Sequence, residues 1–499
     1  MQKAETKPAP SVNRFFHSSF VIHYSAFVLI ALLALAIRLP QLGVRPMHTD
    51  ESVNAFITGK LLTGDAYHYD PKDRHGPALV ELTLPLVRLE GSKNLSDLTE
   101  AQLRLVPVLI GSATMLLFGA AVELFGFIPC LVAALLFAFA PISVYYSRYF
   151  IHETLFVGAT LGLIVSGGRA VLRSSLLFAA LAGLCAAVML ACKETAGLHF
   201  FALGLAAVIG WRLHAAKKIP VISVWLTGAI AFLVGGILLF TWGGQNWSAL
   251  ADLFRAIPHL AARAGGEGHE KPFAYYIFLL NGGGSGAAIC ILALLGFYRT
   301  TYSFARLTLA TYAILIGVIY SAIPYKTPWL ALNLWLPIAL LAGFASERLW
   351  FASTKPSVRA ALLLGTGVLG LLIAHDTRQR VFEQPADERN PYAYAHTSED
   401  LLGLPVRLNE LARQNHLANP RIAVVAADAW PLPWYLRKFS SVAYWQPTQT
   451  AGAADFYITT TDVSGELAQR LKNFRPDYYG ARPNVLLILW SPPETHLSP

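Results

Sequence analysis

The stretch FVLIALLALAIRL, Phe27–Leu39, is followed about ten residues later by His48-Thr49-Asp50-Glu51, and this pairing decides how the chain is read. The apolar run reads as a membrane helix. Two adjacent carboxylates at its mouth need an explanation, because charge near hydrocarbon is costly unless it works in water or binds something. Arg74-His75-Gly76-Pro77 stands about 25 residues further on. With the polar loop between them, the two motifs outline a site at the membrane surface.

Composition supports the membrane reading. The chain has 499 residues, of which 55% are hydrophobic and 14% charged, and its mean hydropathy is +0.48. A soluble chain would carry roughly a quarter charged residues, so the excess apolar mass faces lipid. The net charge of +9 does not point to nucleic acid, because Lys and Arg fall in short clusters between apolar runs, as topology signals do. Cys130, Cys185, Cys192 and Cys290 sit in apolar surroundings without metal spacing and read as small core residues. Ala34-Leu35-Ala36 resembles a signal-cleavage site, yet many spans follow, so the first helix is expected to stay as an anchor.

A span needs roughly 20 apolar residues. Eleven segments qualify or nearly do: 22–40, 103–124, 127–146, 154–171, 176–192, 196–212, 220–242, 274–297, 304–323, 329–346 and 358–375. The basic loop residues Arg169 and Arg173, Arg212 with Lys217 and Lys218, Arg299 with Arg306, and Arg348 with Lys355 and Arg359 alternate between spans. They share a side with Lys3, Lys7 and Arg14, which should be cytoplasmic. Residues 1–21 then form a cytoplasmic segment and 22–375 a transmembrane domain. Loops 41–100, 147–153, 193–195, 243–273 and 324–328 face outward, and 376–499 is an extracytoplasmic tail. The fold class expected is an α-helical polytopic membrane protein with about eleven transmembrane helices and a small extracytoplasmic C-terminal α/β domain.

Within the first loop, Ser52–Leu62 reads as a short helix with Thr49-Asp50-Glu51 as cap and acidic first turn. Pro77–Leu89 is apolar but short, and reads as an interfacial helix. In the tail, strand-like runs at 421–426, 454–460 and 484–490 follow an amphipathic stretch, Asp400–Asn415. Loop 243–273, with its glycines and Glu267, His269, Glu270 and Lys271, reads as a mobile polar segment, either a lid or a plain connector. Gly282-Gly283-Gly284 fits close helix packing or a bend. No internal repeat stands out, which counts against an inverted-repeat transporter.

The residues capable of chemistry gather on the outward face. Either carboxylate of Asp50-Glu51 suits a general base on an acceptor hydroxyl, its neighbour binding a cation or positioning a substrate; an acidic helix start that complements the dipole explains the pair equally well. Arg148 suits a phosphate clamp, and Glu153, with His152, a divalent metal; an aromatic belt explains the neighbouring tyrosines but not the Glu. Cys192-Lys193-Glu194-Thr195 breaks an apolar run, as an ion pair or as a functional site. Tyr325-Lys326-Thr327-Pro328-Trp329 offers one cation in a rigid turn, for a lipid phosphate or as an interfacial anchor. His48, His75 and His152 all stand at loop ends on this face. Nucleotide, dinucleotide and zinc-protease motifs are missing.

These residues, in this order, resemble the GT-C membrane glycosyltransferases, in the family (family 39) that includes protein O-mannosyltransferases and lipid A aminoarabinose transferases. Asp50-Glu51 after the first span, the helix after His75-Gly76-Pro77, and Glu153 after the third span carry the likeness. Tyr325-Lys326-Thr327-Pro328-Trp329, Asn390-Pro391-Tyr392 and Pro431-Leu432-Pro433-Trp434-Tyr435-Leu436-Arg437 look like the prokaryotic flippase-activity-associated subfamily. The resemblance covers about residues 25 to 490. It implies an inverting transfer of a sugar from a polyprenyl-phosphate donor, entering from the bilayer, to a lipid, glycan or protein acceptor on the extracytoplasmic face. It further implies Asp50 as base and Glu51 as its partner. His48, His75, Arg148, Lys193, Tyr325 and Lys326 would bind substrate, and Glu153 with His152 a divalent Mg or Mn. Loop 243–273 is too short for the soluble insertion of eukaryotic protein mannosyltransferases. The competing expectation is a flippase or transporter component for lipid-linked glycans, with no chemistry of its own.

Overall fold

The computed structural model describes residues 12–72, 75–213, 221–266, 268–298, 303–447, 451–461, 463 and 465–493, with side chains from residue 24 onward. Lys3, Lys7, Arg74, Lys217, Lys218, Glu267 and Arg299 lie outside these, as does the side chain of Arg14.

All eleven apolar segments are helical. In chain order the helices are α1 (Val12–Arg38), α2 (Thr49–Leu62), α3 (Ala78–Leu89), α4 (Glu100–Phe125), α5 (Phe127–Phe139), α6 (Pro141–Tyr146), α7 (Glu153–Arg173), α8 (Leu176–Cys192), α9 (Ala196–Leu213), α10 (Ile222–Phe240), α11 (Ser248–Ala264), α12 (Tyr275–Asn281), α13 (Gly284–Tyr298), α14 (Phe304–Ala322), α15 (Ala331–Ala352), α16 (Pro356–Thr377) and α17 (Gly403–Gln414). Among the described residues, seven helices are long and apolar enough to cross a membrane, and α12 with α13 makes an eighth as a bent pair. Tyr24–Arg38, α5 and α8 are shorter apolar helices. The segment 127–146 is two helices rather than one, because Pro141 holds Ala140 in extended backbone (ψ 141°) before α6 restarts.

The triple glycine makes a bend. α12 and α13 meet at 113°, with Gly283 at φ +90°, a conformation that suits glycine. The freed start of α13 is held from α16: Asp376 accepts from both the amide and the hydroxyl of Ser285. α15 is the most enclosed span, packed against α5 and α13. A Cβ on Gly296 of α13 would collide with the Leu341 carbonyl of α15, so glycine sets that close approach. α10 and α16 lie at the periphery with most of their apolar surface outward, as lipid-facing helices do. The four cysteines are free thiols.

The 243–273 loop is not an irregular segment. Its centre is α11, a helix whose exposed side carries Phe254 and Ile257. The glycines that suggested mobility flank that helix instead of interrupting it.

The C-terminal region holds one five-stranded sheet in the order β2-β1-β3-β5-β4: β1 (Ile422–Val425), β2 (Val442–Trp445), β3 (Phe456–Thr459), β4 (Arg475–Arg482) and β5 (Val485–Ser491). β1 pairs parallel with β2 and β3, and β5 pairs antiparallel with β3 and β4. Three of these strands, β1, β3 and β5, match the strand-like runs of the sequence. The two edge strands do not, because β2 is partly exposed and β4 carries Pro476 and charges, as edge strands tolerate. Leu404, Leu408 and Leu411 of α17 pack with Val424, Ile458 and Leu489 of the sheet. That cluster continues into Met47, Ala55, Leu79 and Leu103 of the helical part. Tyr435 and Thr397 bind the two backbone groups of Met47 at 2.8 and 2.6 Å. The sheet region is thus fastened directly over the segment that carries Asp50.

Candidate active site

The start of α2 is fixed by a capping box. The His48 Nδ1 accepts from the Asp50 amide at 3.0 Å, and the Glu51 carboxylate accepts from the His48 amide at 3.1 Å. Glu51 is fully buried and turns away from solvent. Arg104 of α4 donates to both its oxygens, at 2.7 and 2.8 Å, and the Phe150 amide donates at 2.9 Å. Burial alone would push the Glu51 carboxyl up; Arg104 and Arg45 outweigh it and hold it at about 2. Glu51 therefore pins α2 to α4 and to the loop before α7. Asp50, one residue earlier and about 100° around the helix, lines a large cavity. It makes no side-chain hydrogen bond or ion pair with any described residue. Since Nδ1 of His48 is an acceptor, Nε2 carries the proton and donates to the Tyr394 carbonyl at 3.0 Å. Burial lowers the His48 pKa against the pull of Asp50 and Glu51, so this ring is neutral.

A second wall comes from three loops. Gly76 lies so close to the end of α8 that a Cβ would collide with the Ala191 carbonyl. Beside it, His152 approaches the Gly76 carbonyl at 3.2 Å, and the His75 and His152 rings meet edge to face at 5.4 Å. Lys193 and Glu194, adjacent in sequence, do not pair with each other. Lys193 is in direct ion pair with Glu153, both buried. Glu194 takes His75 Nδ1 at 3.2 Å and the Tyr69 hydroxyl at 2.7 Å. Burial would raise the Glu194 carboxyl, but His75 and Tyr69 bring it down to about 2. Burial would lower the Lys193 pKa, but Glu153 raises it above its ordinary value, so the ammonium persists. His152 is pushed well down by burial, His75 and Lys193.

Both walls face one cavity of about 980 Å³. Of the residues drawn from the sequence, Asp50, His48, His75, His152, Glu153, Lys193 and Tyr325 line it, and Glu51, Arg148 and Lys326 do not. Each of the three is consumed elsewhere. Arg148 donates to the carbonyls of Arg38 and Pro40, both at 2.6 Å, and stacks over Phe382 at 4.8 Å, which ties the end of α1 to the α6–α7 link. The Lys326 ammonium is buried and donates to the carbonyls of Lys271 and Ile323. A buried cation without a carboxylate takes whatever carbonyls its loop offers.

The cavity also recruits residues that sequence reading did not single out: Arg263 and the apolar Leu260 from α11, Tyr320 from α14, and Asp428, Trp430 and Arg482 from the C-terminal region. These had no signal in the sequence, because only the tertiary fold brings α11 and the sheet region to the cavity that Asp50 lines. Glu194, marked in the sequence as a charge inside an apolar run, lines the cavity too.

A model of the dolichyl-phosphate-mannose-protein mannosyltransferase family matches residues 89–237, from the end of α3 into α10. No curated protein matches. Among solved structures, ArnT from Cupriavidus metallidurans bound to undecaprenyl phosphate superposes with a TM-score of 0.64 at 16% identity, over 93% of this chain and 97% of that one. The oligosaccharyltransferase of Archaeoglobus fulgidus in its apo form gives 0.62 at 11% identity, over 95% and 75%. The oligosaccharyltransferase AglB from Archaeoglobus fulgidus in complex with an inhibitory peptide and a dolichol-phosphate gives 0.57 at 12% identity, over 96% and 74%.

The chain has the GT-C fold.

On this GT-C frame, Glu153 and His152 do not fit a metal site as they stand. The Glu153 carboxylate is occupied by Lys193, and the His152 Nε2 is turned to a backbone carbonyl. Among the described residues no group of three or more His, Cys, Asp or Glu is arranged to hold a metal ion. The positive charge at this wall is supplied by Lys193 itself.

Proposed function

We propose that this chain is an integral-membrane glycosyltransferase that moves a sugar from a polyprenyl-phosphate donor to an acceptor hydroxyl, with inversion, at the extracytoplasmic end of the helices. The observation that carries this reading is the unpartnered Asp50 carboxylate on one wall of a large cavity whose other wall holds a buried ammonium. The solved GT-C structures with undecaprenyl phosphate and dolichol-phosphate support a lipid phosphate as the donor's carrier.

The chemistry follows from the two walls. Asp50 takes the acceptor proton as the oxygen attacks the anomeric carbon. The bond from that carbon to the phosphate oxygen breaks on the far side. The charge growing on the phosphate is stabilised by Lys193 and by the His75 ring that Glu194 orients, most strongly in the transition state. Glu51 acts at a distance from the reacting atoms, as the anchor of Asp50. Arg148 and Lys326 shape the loops. The prenyl chain fits along Leu260 and Ala261 of α11 with Leu198, Ile323 and Leu330, an apolar side of the same cavity. The far ends of the spans carry Arg169, Arg173, Arg212, Arg306, Arg348, Lys355 and Arg359 against Glu123 and Glu347, and this basic excess supports a cytoplasmic location for that side.

Proteoliposomes with a labelled polyprenyl-phosphate sugar test this directly. Asp50→Asn is expected to lower transfer by about 10²- to 10⁴-fold while the protein melts as the wild type does. Transfer at the wild-type rate would refute the base assignment. Wild-type protein that moves lipid-linked sugar across the bilayer without any transfer would establish the flippase reading instead.

A further inference from the structure

The C-terminal region contributes a compact polar and aromatic group to the cavity, and the transfer chemistry described above leaves it unused. Asp428, Trp430 and Arg482 line the wall next to α2. Arg482 is in ion pair with Asp428 and donates to the Thr49 hydroxyl at 3.3 Å, one residue from Asp50. Trp430 is braced by Phe56 of α2, edge to face at 5.8 Å, and Phe56 in turn lies under the Lys60 ammonium at 4.9 Å. The indole N–H of Trp430 donates to no described residue. Each Asp428 oxygen has one partner among the described residues, the Trp430 amide or Arg482, which leaves acceptor capacity on both.

We propose that this group is the acceptor subsite and that the acceptor is a saccharide, a reading that rests on the transferase function above. An aromatic side chain with an unpaired N–H, beside a carboxylate and a guanidinium in ion pair, matches a sugar ring. The ring offers an apolar C–H face for the indole and vicinal hydroxyls for the charged pair. Its position next to Asp50 places an acceptor hydroxyl where the base can take its proton. A peptide is disfavoured by the backbone here. The edge of β4 beside Arg482 is already used, since Ala481 accepts from Ser398 at 2.9 Å and Gly480 donates to Asp400 at 2.6 Å. The Trp430 carbonyl takes Arg482 at 3.4 Å and its amide gives to Asp428 at 3.1 Å. An extended peptide would therefore find no free strand edge to pair with beside Arg482.

The test uses cells that make this chain, deleted for it and complemented with the wild type, Asp50→Asn, Trp430→Ala, Trp430→Phe or Asp428→Asn. Linkage analysis identifies the sugar whose attachment needs Asp50. The subsite predicts that this sugar sits on a saccharide hydroxyl. It also predicts that Trp430→Ala lowers product by about five- to ten-fold at equal expression, the scale of one lost aromatic contact, with Trp430→Phe restoring most of it. Binding of undecaprenyl phosphate by purified Trp430→Ala at the wild-type level shows that the variant is folded. An Asp50-dependent sugar on a Ser or Thr of a protein, or on a non-sugar lipid hydroxyl, overturns the subsite and leaves the transferase reading standing. A product equal in wild type and Asp50→Asn overturns both.

Discussion

Glu51 and Asp50 are neighbours with opposite fates, and the difference lies in what each side chain meets. Glu51 meets two guanidinium groups in a sealed environment; Asp50 meets a cavity. Removing one partner of such a buried pair leaves the other charge unpaired, at a cost of about 3–5 kcal/mol. Glu51→Gln is accordingly expected to lower the melting temperature in detergent clearly, whereas Asp50→Asn is not. The pH dependence has a definite sign. The folded Glu51 carboxyl, held at about 2, lies below its ordinary value of 4.5. Its contribution is complete above that ordinary value and is lost as pH falls from there through about 2. Melting temperatures in Glu51→Gln should therefore lose this acid-side component, and an unchanged acid limb would contradict it. The sequence shows the acidic pair as a pair. Its division of labour was not legible, because Arg104 and Arg45 stand far from Glu51 along the chain and nothing local marks either as its partner.

At the scale of elements, two short connections position the second wall. Gly76 permits the His75 loop to rest on the end of α8. Gly76→Ala is expected to force the backbones apart, costing about 1–3 kcal/mol and lowering transfer through the displaced His75. Equal melting temperature and equal activity in that variant would show that the contact is slack. The α12–α13 bend depends on Asp376 holding Ser285. Asp376→Ala leaves two buried donors unmet, which predicts a loss of about 1–3 kcal/mol each, read as a lower melting temperature, and an unaltered temperature would argue against the tie. The spans were legible from the length of their apolar runs, α2 from its capping residues, and α3 and α17 from their apolar spacing. α11 was hidden by its flanking glycines and charges, and β2 and β4 by their edge positions, where one side needs no apolar residue.

For the whole molecule, the central claim is convergence. Loops separated by hundreds of residues, from Asp50 to Arg482, close on one cavity. Topology predicted that these loops share a side of the membrane, because alternate spans end there. That Lys193 points inward while Arg148 and Lys326 are tied to carbonyls was beyond reach, since it depends on side-chain neighbours brought by other helices. The deciding measurement is the position of phosphorus in a structure of the protein with undecaprenyl phosphate. The phosphate is expected against Lys193 and His75, its prenyl chain leaving past α11, with the Asp50 carboxylate facing it across open space. A phosphate bound at Arg148 or Lys326, or outside the cavity altogether, would contradict the account.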